Sequence, residues 1–165
     1  TPQALAGASP HDVDAIIRAV GFHRVKTRFI IETARRIVQE HGGEVPRTME
    51  GLTALPGVGR KTANIVLARA FGTPAGIGVD THVRRLSRRI GLSDHSDPVK
   101  IERDLMALYP REVWGRINFT FMQHGRAVCT ARAPRHGACV IRNDCRCYRE
   151  GTCNRGFIRT SGGKE

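Results

Sequence analysis

Apolar residues recur at helical spacing along this chain of 165 residues, and no stretch alternates apolar and polar positions as a strand would. Residues that start or stop helices bound the periodic segments, such as Ser9-Pro10 before the first and Gly42-Gly43 after the second. The pattern therefore predicts an all-α protein. The predicted helices cover residues 10–20, 24–40, 49–55, 60–71, 81–92, 98–108 and 110–124.

The periodicity also predicts the apolar face of each helix. The second helix has an apolar face of Phe29, Ile30, Ala34, Ile37 and Val38, of which Phe29, Ile30 and Ile37 are expected to be exposed unless further helices cover them. In the sixth helix, Val99, Ile101, Leu105 and Met106 are predicted to point inward. Residues 156–165 are polar and are expected to form a frayed terminus.

One short stretch between two predicted helices, Leu55-Pro56-Gly57-Val58-Gly59, has the composition of a tight hairpin. Its closely spaced glycines permit positive φ and let the backbone approach another molecule with no Cβ in the way. Arg60 and Lys61 fall in the first turn of the next helix, whose unpaired N–H groups and positive dipole end favour a phosphate. Asp80 precedes a further helix and is placed to cap it.

Charge and cysteine usage narrow the class of protein. With 27 Lys and Arg against 15 Asp and Glu, the net charge is +12 and the pI about 10.7, which favours nucleic acid as a partner over a merely solvated basic surface. No segment approaches the roughly 20 apolar residues of a membrane span, and no signal peptide is visible. All five cysteines lie within residues 129–153, a clustering that favours a metal site over a disulfide framework.

The motif LPGVGRKTAN at 55–64, with VDTH at 79–82, resembles the helix-hairpin-helix DNA glycosylases, and the endonuclease III branch in particular. The resemblance runs from about residue 1 into the cysteine-rich tail. It implies two helical lobes flanking a DNA-binding cleft. Residues 1–74 would form part of a helical-barrel lobe, with the helix-hairpin-helix motif at about 48–72. Residues 75–165 would form the C-terminal lobe, with the cysteine cluster at 129–153.

The same resemblance implies the catalytic residues, because the family's lysine nucleophile matches Lys61 and its aspartate partner matches Asp80. Breaking an N-glycosidic bond gathers positive charge on the sugar, which a carboxylate stabilises while a neutral amine attacks C1′. The resulting Schiff base permits strand cleavage by β-elimination. In the alternative interpretation, Lys61 only binds a phosphate and Asp80 only caps a helix.

A lysine at this position implies a bifunctional glycosylase and AP lyase that acts on oxidised pyrimidines in duplex DNA. The alternatives are a truncated or inactive DNA-binding relic and a mismatch-specific glycosylase of the same superfamily. The expected partner is double-stranded DNA with damaged bases or abasic sites, bound by a monomer in the cytoplasm or nucleoid of a prokaryote. The family has further helices before the position of Thr1, so we expect a longer native protein.

Two further groups of residues are candidates for DNA binding besides Gly57, Val58, Gly59 and Arg60 in the hairpin. Phe22 lies in a turn that faces DNA in the family, where an apolar side chain can enter the opened base stack; in the alternative, Phe22 packs in the core. Arg132 and Arg135 lie among the cysteines, where they either bind phosphates or are simply solvated.

The cysteine segment resembles the family's [4Fe–4S] site, whose ligands follow C-x6-C-x2-C-x5-C. The same register here gives Cys129, His136, Cys139 and Cys145, with histidine at the second position. Three interpretations remain open. His136 completes the cluster, Cys147 or Cys153 takes its place, or the cluster is lost and leaves free thiols or a zinc site.

Overall fold

The computed structural model describes residues 1–153, and every regular element within that range is helical. The all-α prediction is confirmed, while the polar stretch 156–165 lies outside the described residues. Nine α-helices are present in the described range: α1 Pro2–Ala6, α2 Pro10–Ile17, α3 His23–His41, α4 Met49–Thr53, α5 Arg60–Ala70, α6 Thr81–Ile90, α7 Pro98–Leu108, α8 Trp114–Ala127 and α9 Arg146–Arg149. Two 3-10 turns, Arg111–Val113 and His136–Ala138, precede α8 and α9.

Side-chain caps fix several helix starts where the sequence predicts them. The Thr48 hydroxyl accepts a hydrogen bond from the Gly51 N–H at 3.1 Å, and the Asp97 carboxylate accepts from the N–H groups of Val99 and Lys100 at 3.0 Å. The helix predicted over 10–20 ends earlier, at Ile17, because the chain must turn back before α3 begins.

The chain divides into two compact units, Thr1–Ala75 and Gly76–Glu165. In the first, α1 and α2 pack on α3, and a core forms between α3, α4 and α5 from Ile37, Leu52, Leu55, Ala63 and Leu67. In the described part of the second, α6, α7 and α8 surround a core of Ile77, Val79, Val83, Leu86, Ile101, Leu105, Ile117 and Phe121.

Two side chains on the predicted apolar faces are partly exposed. Val99 is 47% exposed, so the prediction that it points inward was wrong, and Phe29 is 43% exposed, whereas Ile37 is buried. The apolar stripe of each helix is wider than the surface its own unit covers, and a residue at the edge of the stripe stays in contact with solvent. Among the described helices, none combines the length and apolarity that crossing a membrane requires.

Candidate functional site

The glycine hairpin between α4 and α5 is held against α3. Gly57 has φ of +74°, which glycine adopts readily, and a Cβ built there would lie 2.8 Å from ring atoms of Phe29. The Thr33 hydroxyl donates a hydrogen bond to the Pro56 carbonyl at 2.8 Å. Both the backbone conformation and the packing against α3 therefore require glycine at position 57.

The second glycine of the hairpin lies in open space. Gly59 is the N-cap of α5, with φ −92° and ψ 173°, and a Cβ there would meet nothing within 4 Å. Within the described residues, no side chain caps the first turn of α5, where Arg60 and Lys61 are both exposed. Val58 is half-buried and packs on the core of the first unit. The hairpin thus presents backbone N–H groups, a helix N-terminus and two cations together, as a phosphate site requires.

Asp80 caps α6, as the sequence predicts. Its Oδ1 accepts hydrogen bonds from the N–H groups of His82 and Val83, each at 2.8 Å, and the residue is half-buried. These bonds hold the carboxylate in one orientation at the N-terminus of the helix. Lys61 belongs to the first unit and Asp80 to the second, and their catalytic pairing stays a prediction.

Phe22 projects from the turn between α2 and α3. It has φ of +59°, and 85% of its surface is exposed, so the alternative in which it packs in the core is wrong. The His23 ring donates a hydrogen bond from Nδ1 to Asp14 Oδ1 at 2.6 Å and thereby closes the turn. That bond is the main cause of a pKa of Asp14 below its usual range. The structure therefore offers Phe22 as an exposed aromatic on a turn that is hydrogen-bonded at its base.

The cysteine-rich segment surrounds one pocket of about 300 Å³, including its open mouth. Five of its candidate ligands line this pocket: Cys129, His136, Cys139, Cys145 and Cys153. Cys153 forms a disulfide with Cys147, a local link that the sequence did not predict, whereas the other three cysteines are free. The structure thus brings together the four residues of the family's ligand register.

The donors suit a cluster better than a single ion. Within residues 1–153, no three His, Cys, Asp or Glu side chains are placed to hold one metal ion. In a four-iron cluster each ligand binds a different iron, and its donors are therefore spaced around a pocket rather than about one point. The Nε2 atom of His136 is buried and has no hydrogen-bond partner, which leaves it available to a metal. The residues present fit an iron–sulfur cluster.

Two arginines of α6 hold the cysteine segment, and neither was predicted from the sequence. Arg85 donates hydrogen bonds to the Cys129 carbonyl at 3.1 Å and 3.3 Å, and Arg89 donates to the carbonyls of Thr130 and Ala131 at 2.7 Å and 2.8 Å. Burial lowers the pKa of Arg85. The signal in the sequence was the four-residue spacing between Arg85 and Arg89 in the helix that begins within VDTH. Residues four apart lie on the same face of a helix.

Helix α8 packs closely on side chains of α6 at position 125. A Cβ on Gly125 would lie 2.7 Å from His82 Nδ1 and 2.8 Å from a terminal nitrogen of Arg85. Arg85 also donates to the Gly125 carbonyl at 2.9 Å. Gly125 therefore allows α8 to approach the arginine that supports Cys129.

The two loop arginines differ in their surroundings. Arg132 is exposed, whereas the exposed guanidinium of Arg135 donates a hydrogen bond to the Ala127 carbonyl. Arg135 thus contributes to the structure of its own loop. Phosphate binding by either residue stays a prediction.

Comparison with known proteins gives two family matches along the chain. Residues 1–111 match the HhH-GPD superfamily of base excision DNA repair proteins, and residues 129–145 match the iron–sulfur binding domain of endonuclease III. The second match spans the register from Cys129 to Cys145. It confirms the prediction of an iron–sulfur cofactor of the [4Fe–4S] type, while the identity of each ligand stays a prediction.

Individual relatives agree with these matches. The chain is 50% identical over 142 residues to an endonuclease III of Synechocystis sp., covering 86% of this chain and 65% of the relative. It is 44% identical over 149 residues to an endonuclease III of Thermotoga maritima, covering 90% and 70% respectively. The chain thus spans about two thirds of the length of these relatives.

A solved structure gives the same result for the fold. The trapped covalent intermediate of an endonuclease III with DNA superposes with a TM-score of 0.83 at 36% identity, covering 92% of this chain and 71% of that one. The predicted helix-hairpin-helix glycosylase fold is therefore confirmed. The chain belongs to the endonuclease III branch of the HhH-GPD superfamily of base excision DNA repair proteins.

Proposed function

We propose that the protein is a bifunctional DNA glycosylase and AP lyase that acts on oxidised pyrimidines in duplex DNA. The observation that carries this proposal is the position of Lys61, exposed in the first turn of α5 directly after the glycine hairpin. The trapped endonuclease III–DNA structure supports it, because that homologous protein forms a covalent intermediate with its DNA. The bacterial relatives support a site of action in the cytoplasm or nucleoid of a prokaryote, and we propose that the protein acts there as a monomer.

DNA binding follows from the hairpin and the net charge. Gly57 and Gly59 bring backbone N–H groups to a surface that carries Arg60 and Lys61, and the whole chain has a net charge of +12. Phosphate contacts of this kind release counterions, so the affinity for duplex DNA falls steeply with salt. Affinity that stays constant between low and moderate salt would contradict this part of the proposal.

In the proposed reaction, the neutral amine of Lys61 forms a bond to C1′ as the bond from C1′ to the base breaks. The bonding electrons leave with the base, which takes up the proton that the attacking amine loses. The carboxylate of Asp80 stabilises the positive charge that develops on the sugar, and its cap bonds hold it in place for this role. A substituted amine at C1′ remains on the lysine.

The lyase step uses the same lysine. Opening of the sugar ring converts the amine adduct to a Schiff base, which acidifies the C2′ proton. Loss of that proton is followed by cleavage of the bond from C3′ to oxygen, and the phosphate leaves with the electron pair. Water then hydrolyses the Schiff base and frees Lys61.

The cluster, when bound, supplies a cross-link between its ligands from Cys129 to Cys145. The chain's own contribution there is the loop between them, which carries the exposed Arg132 towards solvent. We propose that this arginine binds a DNA phosphate and that Phe22 enters the base stack beside the lesion.

Borohydride trapping tests the central step. Full-length protein is incubated with a duplex that contains one abasic site, and sodium borohydride reduces any Schiff base to a stable covalent adduct. We expect an adduct with the wild type and none with Lys61→Ala. Asp80→Asn should lower glycosylase activity on an intact damaged base more than it lowers trapping on the abasic site, where the base has already left.

Lys100→Ala is the matched control, because Lys100 is an exposed lysine in the first turn of α7 and carries no proposed role. It should trap like the wild type. Wild-type protein that binds the duplex but gives no adduct would favour a DNA-binding relic. Duplexes with thymine glycol or a single mismatch then test the substrate class, and preference for the mismatch would contradict the assignment to oxidised pyrimidines.

A further inference from the structure

The family's cluster uses four cysteines, but this chain has histidine at the second position of the ligand register. Three thiols of the register, Cys129, Cys139 and Cys145, are free and line one pocket. Beside them the structure offers His136, Cys147 and Cys153 as candidates for the fourth ligand. Their surroundings differ enough to separate them.

The imidazole of His136 has an atom that requires a partner. His136 lines the pocket, and its Nε2 is buried with no hydrogen bond in the described residues. A buried imidazole nitrogen without a partner is unfavourable, because it has lost its contact with water and gained nothing in exchange. A metal bound by the nitrogen lone pair would remove this cost.

The ring of His136 is also held in position. It packs edge-on against Tyr148, with ring centroids 5.0 Å apart and planes inclined by 80°. Tyr148 itself lines the pocket, and His136 lies in a 3-10 turn that ends at Cys139. The ring orientation is therefore set by packing, as in metal sites whose ligands are positioned before the metal binds.

The two competing cysteines are engaged with each other. Cys147 and Cys153 form a disulfide, so neither sulfur is a thiolate in this structure. Cys147 is buried in a cluster with Cys145 and Cys153, but it does not itself line the pocket. Cys153 does line the pocket, but its sulfur becomes a possible ligand only if the disulfide is reduced.

We propose that His136 is the fourth ligand, through Nε2, of a cluster with three cysteines and one histidine. The lone pair of Nε2 binds iron, so the ring proton resides on Nδ1. Neutral imidazole in place of a thiolate makes the site less negative by one charge. The reduction potential of the cluster should therefore be higher than that of an all-cysteine site, as it is in other histidine-ligated iron–sulfur centres.

Pulsed electron paramagnetic resonance tests the proposal without reference to DNA repair activity. Full-length protein is prepared anaerobically with ¹⁵N-labelled histidine, and its cluster is reduced with dithionite. We expect a strongly coupled nitrogen in the wild type that is absent from His136→Cys. His136→Cys should keep its iron and sulfide, since it restores the family's four-cysteine pattern, and should show a lower reduction potential.

Matched variants address the competing ligands. Cys147→Ser and Cys153→Ser should each retain both the cluster and the nitrogen coupling. Mössbauer spectra of the oxidised protein, which need no reduction step, should show one iron distinct from the other three, and His136→Cys should remove the difference. A wild-type cluster with no nitrogen coupling would overturn the proposal. Loss of the cluster or of the nitrogen coupling in Cys153→Ser would overturn it as well. Because these readouts do not involve DNA, they stand or fall independently of the trapping experiment.

Discussion

The guanidinium of Arg89 donates a hydrogen bond to the sulfur of Cys129, with 3.3 Å between Nη1 and Sγ. The same side chain bonds the carbonyls of Thr130 and Ala131, so one arginine fixes both a proposed cluster ligand and the loop after it. Hydrogen bonds from a charged donor to sulfur also raise the reduction potential of an iron–sulfur cluster. Arg89 therefore holds Cys129 and its loop in place, and it also puts a positive charge beside the sulfur that is proposed to bind iron.

Replacing Arg89 by methionine should release this support. We expect the free energy of unfolding to fall by about 2 kcal/mol, the scale of a lost charged hydrogen bond, and iron to be lost to a chelator several-fold faster. Absorbance of the cluster under chelator and thermal unfolding measure the two effects. Arg103→Met, on the exposed surface of α7, is the control and should change neither.

The two hairpin glycines should respond differently to substitution. Gly57→Ala combines a φ of +74° with a Cβ 2.8 Å from the Phe29 ring, so we expect it to lower the free energy of unfolding by about 1–3 kcal/mol. Gly59→Ser should leave stability nearly unchanged, because its φ is ordinary and the space is open, yet weaken duplex binding by placing a side chain at the phosphate site. Thermal unfolding and DNA titration separate the effects. Equal loss of stability in both variants would contradict this account of the hairpin.

Phe22 should matter for base excision and not for folding. Because 85% of its surface is exposed, Phe22→Ala removes little buried area, and we expect a change in unfolding free energy within about 0.5 kcal/mol. Excision of a damaged base from duplex DNA should slow at least several-fold if the ring enters the base stack. Single-turnover excision measures the rate. Phe119→Ala, a second exposed aromatic, is the comparison, and equal slowing by both would argue against a specific role for Phe22.

The turn that carries Phe22 should depend on the ionisation of Asp14. Its pKa is lowered chiefly by the hydrogen bond from His23, so the carboxylate stabilises the folded turn above its unfolded pKa of about 3.9. That contribution is lost as the pH falls through the lower, folded pKa. His23→Ala should raise the pKa of Asp14 towards its usual value, as followed by NMR of the carboxyl carbon. His11→Ala should not, because the His11 ring lies against Asp12 instead.

Local features of the sequence were sufficient to predict the glycine hairpin before α5 and the cap of α6 by Asp80. The motif at 55–64 is contiguous, and Asp80 caps α6 through residues two and three positions ahead, so short-range chemistry determines both. Phe22 is different, because an apolar residue in a turn is compatible with either core or solvent. Its left-handed backbone and its exposure resolve that ambiguity.

The supporting arginines could not be assigned from the sequence, because their partners are distant along the chain. Arg85 and Arg89 bond to carbonyls 40 to 44 residues away, in a loop that has no periodic pattern. Nor does sequence show that Cys147 pairs with Cys153, since spacing alone does not select among nearby cysteines. The long-range contacts of irregular segments are therefore the part of the structure that the sequence alone does not predict.

Helix α6 begins at the carboxylate proposed for catalysis and ends at the residues that hold the cysteine segment. Its ten residues span about 15 Å. Arg85 lies at its middle and Arg89 in its last turn, and Arg146 bonds the Arg88 carbonyl beside its C-terminus. An oxidant that destroys the cluster would thus release the loop that Arg85 and Arg89 hold, while Val83 and Leu86 keep α6 packed in the core of its unit. We expect oxidative damage at the cysteine segment to leave the cap bonds of Asp80 in place and to act on the loop at the other end of the helix.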